Sequence, residues 1–201
     1  MYLCAYELNV PNLENLKNEL RSYYPDQPSS WQGSIYVNYK EVGEETLKFY
    51  ELFDNGFLNN MRFVKTLNDT EYYPHIDMDT QELDYFDGEI PYSSIRQATI
   101  NVLLGEPDPE YTKFFIDLDV VKYDWQKQGY NDHEKKNLKL VDKHCLKENP
   151  TLINTGTWHS IGYTRERWMA GFHFHPLVSW QGAVEYCRHK GFIIERENIN
   201  V

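Results

Sequence analysis

The sequence is short of cysteine and of long apolar runs. Its three cysteines, Cys4, Cys145 and Cys187, lie far apart and outside any Cys-x-x-Cys spacing. Such a set favours a reducing compartment over a disulfide framework and lacks the spacing of a zinc site. No segment approaches the roughly 20 apolar residues of a membrane helix, and the first residues do not resemble a signal peptide. We therefore expect a cytoplasmic protein without membrane association.

Positive charge is also scarce. Twenty lysines and arginines stand against 31 acidic residues, and the formal net charge is −11. A protein with this balance repels phosphate backbones unless a local basic patch overcomes the repulsion. The longest basic stretch, residues 133–144, is interrupted by acidic and apolar residues, which is typical of a solvated face. Nucleic acid is therefore a disfavoured partner, and no glycine-rich phosphate loop or nucleophile elbow is present.

Aromatic residues are abundant, at 15% of the chain with 16 tyrosines. They favour the pleated, half-buried surface of a sheet over a helix. With 201 residues, 41% of them hydrophobic and 25% charged, the chain has the size and composition of one globular domain. We expect a single domain over residues 1–201, mainly β with some helix.

The first 59 residues predict a mixed α/β flank. A strand over residues 2–8 precedes a short helix after Asn9, and a strand over residues 33–40 follows. A second short helix is expected within residues 43–57, with acidic residues in its first turn and Gly56 beyond its last.

Residues 60–175 consist of short β-like runs separated by turn-forming residues. About eight such strands suit a double-sheet jelly roll. A terminal amphipathic helix is expected over residues 177–190 and closed by Gly191, and the polar stretch 123–137 is the expected insertion. The β-like runs are 'MRFVKTL', 'EYYPHIDM', 'ATINVLLG', 'TKFFIDLDVV', 'LINT', 'TWHSIGY' and 'RWMAGFHF'.

A His-x-Asp pattern stands in the second of these runs. His75 and Asp77 are two residues apart in a predicted strand, so both side chains should project from one face. An imidazole and a carboxylate suit iron(II) or a similar divalent ion, and a second histidine would complete a facial triad. His159 offers that histidine from a later strand, which we expect to face the first across the mouth of the barrel.

The order of these segments resembles that of the 2-oxoglutarate- and iron(II)-dependent oxygenase superfamily. Its members carry His-x-Asp/Glu, a distal histidine and then a basic residue one strand later. The segment 'LINTGTWHS' is similar to the region around the distal histidine in aspartyl- and prolyl-hydroxylase-like members. The resemblance covers about residues 72–174, half of the chain, and implies a double-stranded β-helix (jelly roll) with flanking helices.

The resemblance also implies roles for individual residues. His75, Asp77 and His159 would hold Fe(II), and Arg167 would bind the distal carboxylate of 2-oxoglutarate, for which a rigid, permanently charged guanidinium is well suited. Arg165 is the alternative anchor, but the apolar run 'WMAGF' begins directly after Arg167, as it does after the anchoring residue of the family.

Asn101 occupies a place where relatives often put a polar residue that touches the co-substrate, and Arg96 lies just before the same strand. A buried structural amide is the alternative role for Asn101.

The activity implied by the resemblance is a dioxygenase reaction. It would hydroxylate or otherwise oxidise a protein side chain or a small molecule, consume O2 and release succinate and CO2, with ascorbate as a reductant. The stretch from residue 85 to residue 94 is the expected lid over the substrate. Substrate identity and oligomeric state do not follow from the sequence.

Two other interpretations stay open. One is a cupin-type metal enzyme that does not use 2-oxoglutarate, in which Arg167 would be structural and the substrate itself would bind iron. Separately, His173 and His175 could join His159 in a cupin-like all-histidine site. The other is a non-catalytic jelly-roll module, ligand-binding or virion-associated, whose polar residues are incidental. Asp117 and Asp119 could bind a hard cation, although acidic residues alternating with apolar ones usually mark a solvated face. Convergence of the proposed iron ligands and Arg167 on one cavity would discriminate between these readings.

Overall fold

The computed structural model describes residues 3–23, 33–66, 70–77, 96–107, 109–118, 137–163 and 166–195. Four expectations concern residues outside this part: the lid over 85–94, the second acid Asp119, the alternative anchor Arg165, and nearly all of the insertion over 123–137. No helix in the described part is long and apolar enough to cross a membrane.

The described residues form ten strands, four α-helices and one 3₁₀ turn. In chain order these are β1 (Ala5–Glu7), α1 (Leu13–Tyr23), β2 (Gly33–Val37), the 3₁₀ turn (Tyr39–Glu41), α2 (Glu44–Glu51), α3 (Asp54–Phe57), β3 (Leu58–Thr66), β4 (Thr70–His75), β5 (Ala98–Leu103), β6 (Tyr111–Asp117), β7 (Leu138–Cys145), β8 (Thr151–Asn154), β9 (Trp158–Tyr163), β10 (Arg167–Phe174) and α4 (Trp180–His189).

The strands form two antiparallel sheets. The larger sheet has the order β1-β8-β5-β10-β3-β2, and the smaller sheet has the order β4-β9-β6-β7. From β3 to β10 the chain passes back and forth between the sheets, apart from the β6–β7 pair, which stays in the smaller one. Eight strands in two such sheets are a jelly roll. The mainly β fold with flanking helices that the sequence predicts is therefore confirmed.

The helices cover the outer face of the larger sheet. Leucines of α1 and aromatic residues of α2 share one buried cluster with alternate residues of β5 and β10. The terminal helix α4 begins at the cap residue Ser179, whose hydroxyl accepts the Gly182 N–H, and Gly191 follows it at φ +71°. This helix buries Ala183, Val184 and Cys187 against the sheet, as its spacing predicts.

Two local predictions differ from the structure. Gly56 does not follow the last turn of α2 but lies inside the separate short helix α3. Its φ is +101°, a conformation that glycine adopts without strain. Residues 138–145, which overlap the stretch 133–144 interpreted as a solvated face, form strand β7 at the edge of the smaller sheet. Lys139 and Lys143 are exposed there. Lysines on an edge strand discourage pairing with a strand of another chain, and they also make the alternation of apolar residues harder to recognise in the sequence.

Candidate metal centre

A cavity of about 220 Å³ lies between the two sheets. On the larger sheet, the residues that alternate with the helix-covered ones face this cavity. They are polar for the most part, and the smaller sheet adds further polar side chains. The threonines and the amide on the cavity wall are Thr66, Thr99, Thr112, Thr155 and Asn101.

Two histidines meet on the smaller sheet. Strands β4 and β9 are neighbours, and His75 lies directly opposite His159 in their register. The two ring centroids are 4.5 Å apart. The expectation that these strands face each other across the barrel mouth is wrong, because they pair side by side. Pairing brings the rings closer than two separate sheets, about 10 Å apart, would.

Asp77 completes the cluster from just beyond the end of β4. It is not in the strand that the sequence predicts. Its backbone N–H instead donates to the Thr155 carbonyl at 3.1 Å, which holds it beside the cavity. Asp77 Oδ1 lies 3.6 Å from His75 Nε2 and 3.8 Å from His159 Nε2. One ligand atom from each of the three residues lies within 4.8 Å of the others, so a single metal ion can contact all three.

Hydrogen bonding sets the tautomer of His159. Its Nδ1 atom lies 2.9 Å from the Thr157 carbonyl oxygen, which can only accept, so Nδ1 carries the proton. The lone pair of Nε2 is then directed toward Asp77, as a metal ligand requires. Burial lowers the pKa of His159 to about 4, although the negative charge of Asp77 opposes this shift. The imidazole is therefore neutral near pH 7.

The second oxygen of Asp77 faces two arginines. Arg96 Nη2 is in direct contact with Oδ2, and Arg62 Nη2 lies 3.4 Å from the same atom. Burial raises the pKa of Asp77, but the charge of Arg96, a hydrogen bond from His75 and the charge of Arg62 outweigh it, so the pKa lies well below its usual range. Oδ2 is thus occupied by guanidinium groups, while Oδ1 faces the histidines.

Arg96 is held from three directions. The arginine is fully buried, and its Nη1 lies 3.1 Å from His173 Nδ1. Its carbonyl oxygen accepts the Thr155 hydroxyl at 2.9 Å. In the sequence, Arg96 stands out only by its place before β5, and Arg62 was not predicted as a site residue. The signal for Arg62 was its place between Met61 and Phe63, since period-2 alternation turns it away from the apolar core.

Arg167 and Asn101 also face the interior between the sheets. Arg167 is 2% exposed at the start of β10. Its cross-strand partner Thr66 and its next-but-one neighbour Met169 both line the cavity, so Arg167 shares their face. Asn101 lies in the middle of β5 and lines the cavity. Of the five residues of the predicted iron and 2-oxoglutarate sites, four therefore line one cavity, and Arg167 lies on the sheet face that borders it.

The alternative metal ligands lie elsewhere. His173 Nδ1 faces Arg96, and His175 Nδ1 accepts the Leu177 N–H at 3.2 Å. Among the described residues, His75, Asp77 and His159 are the one group of three or more such side chains close enough to share an ion. Asp117 belongs to no such group there. Two imidazole nitrogens and one carboxylate oxygen are a donor set that fits Fe(II) or a similar divalent transition metal.

Comparison with solved structures identifies the fold. The non-haem α-ketoglutarate-dependent epimerase SnoN from nogalamycin biosynthesis matches with a TM-score of 0.50 and 13% identity, over 85% of this chain and 77% of that one. A Pseudomonas putida prolyl-4-hydroxylase matches with a TM-score of 0.45 and 14% identity, over 81% of this chain and 85% of that one. No protein-family model and no curated protein matches the sequence significantly. At these identities the likeness concerns architecture, and the chain shares the jelly-roll fold of SnoN.

Proposed function

We propose that this chain is a non-haem Fe(II) oxygenase that uses 2-oxoglutarate and O2. The observation that carries the proposal is the cluster of His75, Asp77 and His159 on the cavity between the sheets, with Arg167 buried on the face of β10 whose Met169 lines the same cavity. These residues come from three separate parts of the sequence, and burying polar groups is unfavourable unless they are paired. An incidental set has no physical reason to meet there, which argues against the non-catalytic module.

Each group has a defined role in this proposal. His75, His159 and Oδ1 of Asp77 hold the iron, which when bound supplies the activation of dioxygen. Arg167 binds the distal carboxylate of 2-oxoglutarate, because a guanidinium matches a carboxylate as a two-pronged donor. Asn101, which lines the cavity, contacts the co-substrate. The fold match to SnoN, whose name states α-ketoglutarate dependence, supports this assignment.

The lining of the cavity supports these roles. Thr66 and Met169, the strand neighbours of Arg167, line the same cavity as His75 and Asp77. A short dicarboxylate bound in this cavity would have one end at the iron ligands and the other at the guanidinium.

The overall reaction balances without another co-substrate. 2-Oxoglutarate, O2 and a substrate C–H group give succinate, CO2 and a hydroxylated carbon. One oxygen atom enters succinate and the other enters the new hydroxyl group. We propose a peptidyl side chain or a small molecule as the substrate, oxidised within the cytoplasm. Ascorbate would reduce iron that is oxidised in turnover without substrate.

The test measures binding and turnover separately. Metal-free protein is titrated with Fe(II) without oxygen, then with 2-oxoglutarate, and the charge-transfer absorption of the iron chelate is recorded. Oxygen and ascorbate are then added, and succinate is measured. We expect His75→Ala to abolish iron binding and Arg167→Ala to weaken 2-oxoglutarate binding roughly 10- to 100-fold, because it removes charge-assisted hydrogen bonds.

Matched controls are available on the exposed end of α4. His189→Ala and Arg188→Ala make the same chemical changes away from the cavity and should leave both titrations unchanged. Iron binding without 2-oxoglutarate binding would favour a cupin-type enzyme. A wild-type protein that binds no iron would contradict the proposal.

A further inference from the structure

The sheet does not fix the direction in which Asp77 points its carboxylate oxygens. Asp77 lies just beyond the end of β4, and its backbone N–H donates to the Thr155 carbonyl at 3.1 Å. This bond holds the backbone but not the side chain, because rotation of a carboxylate about its last carbon–carbon bond has only a broad, weak preference. The contacts of Oδ2 therefore decide whether Oδ1 faces His75 and His159.

Arg96 makes the buried contact with Oδ2. Its Nη2 atom touches this oxygen, and the arginine is fully buried. Arg62 reaches the same oxygen at 3.4 Å with a side chain that is 21% exposed. A hydrogen bond between charged groups is stronger when it is short and shielded from water. Arg96 is therefore the contact that can hold Oδ2 in one place.

Thr155 connects the backbone of the arginine to that of the carboxylate. Its carbonyl oxygen accepts the Asp77 N–H, and its hydroxyl donates to the Arg96 carbonyl at 2.9 Å. Thr155 follows the last residue of β8 and is buried. One residue thus sets the spacing at which the carboxylate and the guanidinium meet.

His173 holds the other end of the guanidinium. A guanidinium cannot accept a hydrogen bond, so Arg96 Nη1 donates to His173 Nδ1 at 3.1 Å. The Tyr36 ring packs edge-on against the imidazole, with the ring centroids 5.9 Å apart. The Nε2 atom of His173 is buried without a hydrogen-bond partner in the described part of the chain. The hydrogen bonding of this buried ring is therefore directed to Arg96.

Holding Oδ2 has a consequence for metal coordination. A carboxylate that bound an ion through both oxygens would occupy two coordination positions. With Oδ2 held by Arg96, Asp77 offers Oδ1 alone. This arrangement preserves the open positions that a site of two histidines and one carboxylate uses for a co-substrate and O2.

We propose that Arg96 is a positioning residue of the metal centre, which holds Oδ2 of Asp77 so that only Oδ1 binds the ion, and that His173 acts through Arg96. The inference rests on the proposed function, because it takes Asp77 and the two histidines as metal ligands. Positioning and charge predict opposite results. The charge of Arg96 alone repels a metal ion, so its removal would tighten binding, whereas loss of positioning weakens binding.

The test measures Co(II) binding to metal-free protein by calorimetry, together with the visible absorption of the bound ion, which depends on the number and geometry of its ligands. Arg96→Met and Arg96→Lys are similar in shape, but only lysine keeps a charged donor. We expect Arg96→Met to weaken Co(II) binding roughly 10- to 100-fold and to change the absorption, and Arg96→Lys to weaken binding less. A merely structural role would lower stability but leave the absorption of the bound ion unchanged.

A second matched pair tests His173. His173→Asn keeps an acceptor where Nδ1 lies, and His173→Leu has the shape of the asparagine variant without an acceptor. His173→Leu should weaken Co(II) binding, and His173→Asn should retain most of it. The double variant Arg96→Met/His173→Leu should bind no more weakly than Arg96→Met, because His173 acts through Arg96.

Controls address charge and folding. Arg188→Met removes a charge from the exposed face of α4 and should leave Co(II) binding unchanged. Circular dichroism checks that each variant is folded. If Arg96→Met does not fold, the His173 pair decides.

Unchanged or tighter Co(II) binding in Arg96→Met would overturn the inference. Equal affinities of His173→Leu and His173→Asn, or additive losses in the double variant, would also overturn it. Failure of the 2-oxoglutarate assignment is a different result, because wild-type protein would then bind Co(II) but not 2-oxoglutarate, and the variants would still be compared. Wild-type protein that binds no metal would overturn both proposals. Metal and 2-oxoglutarate binding that do not depend on Arg96 would contradict this inference alone.

Discussion

The two faces of β10 are both buried but differ in chemistry. Its outer face packs under the helices with Ala170, Phe172 and Phe174, and its inner face carries Arg167, Met169, Gly171 and His173. Burial therefore does not distinguish the core of this protein from its candidate site. The distinguishing feature is what covers each face: amphipathic helices on the outside, and a second sheet with polar side chains on the inside.

The two faces also contribute differently to stability. On the outer face, the Phe172 ring lies 4.5 Å from that of Phe49 and 5.7 Å from that of Tyr50, so it stabilises the fold through apolar burial and aromatic packing. On the inner face, within the described part of the chain, Thr99 Oγ1 and His173 Nε2 are buried without hydrogen-bond partners. Such groups oppose folding until a ligand or water pairs with them.

The largest expected change in stability comes from a substitution on the outer face of β10. Phe172→Ala should lower the free energy of unfolding by about 3–5 kcal/mol, because it removes a buried ring and leaves a cavity under the helices. Urea unfolding followed by circular dichroism measures this change. Folded Phe172→Ala protein should bind Co(II) with the affinity of the wild type. A loss of metal affinity would show that the two faces are not independent.

A metal ion should stabilise the folded protein through residues on the inner side of the sheets and not through the outer face. Co(II), an air-stable substitute for Fe(II), should stabilise the protein by about 2.7 kcal/mol at 100 times its dissociation constant, if it binds only the folded state. For a chain of this size the melting temperature should then rise by roughly 5–10 °C. Thermal unfolding with and without Co(II) measures the shift.

His159→Ala should abolish the cobalt-dependent shift, whereas His189→Ala, on the exposed face of α4, should retain it. A shift that persists in His159→Ala would place the ion elsewhere.

The smallest expected effect has the opposite sign to the first. Thr99→Val replaces an unpartnered buried hydroxyl with a methyl group of similar shape, and it should raise the free energy of unfolding by about 1 kcal/mol. Thr155→Val is the matched control, because the Thr155 hydroxyl donates to the Arg96 carbonyl and its loss should destabilise the protein. Chemical denaturation of the metal-free variants measures both changes in the free energy of unfolding. Changes of the same sign would refute the predicted difference between an unpaired and a paired hydroxyl.

Local patterns predicted much of the fold. Short β-like runs anticipated β3, β5 and β10, and amphipathic helical spacing with a closing glycine anticipated α4. Strand β7 was missed because its edge position exposes lysines at places where a central strand would show apolar residues. The jelly roll followed from the number of runs together with the family resemblance.

The sequence by itself determined which residue types could hold a metal, as with His75, Asp77 and His159, and which side chains share a face within the strands that it predicted, as with those of β10. Only the tertiary structure decided that His75 pairs with His159, that Arg62 and Arg96 share Asp77 Oδ2, and that His173 faces Arg96 instead of the metal cluster. The physical reason is that side-chain alternation is a local property of a strand, whereas register and sheet order join residues that are distant in the chain.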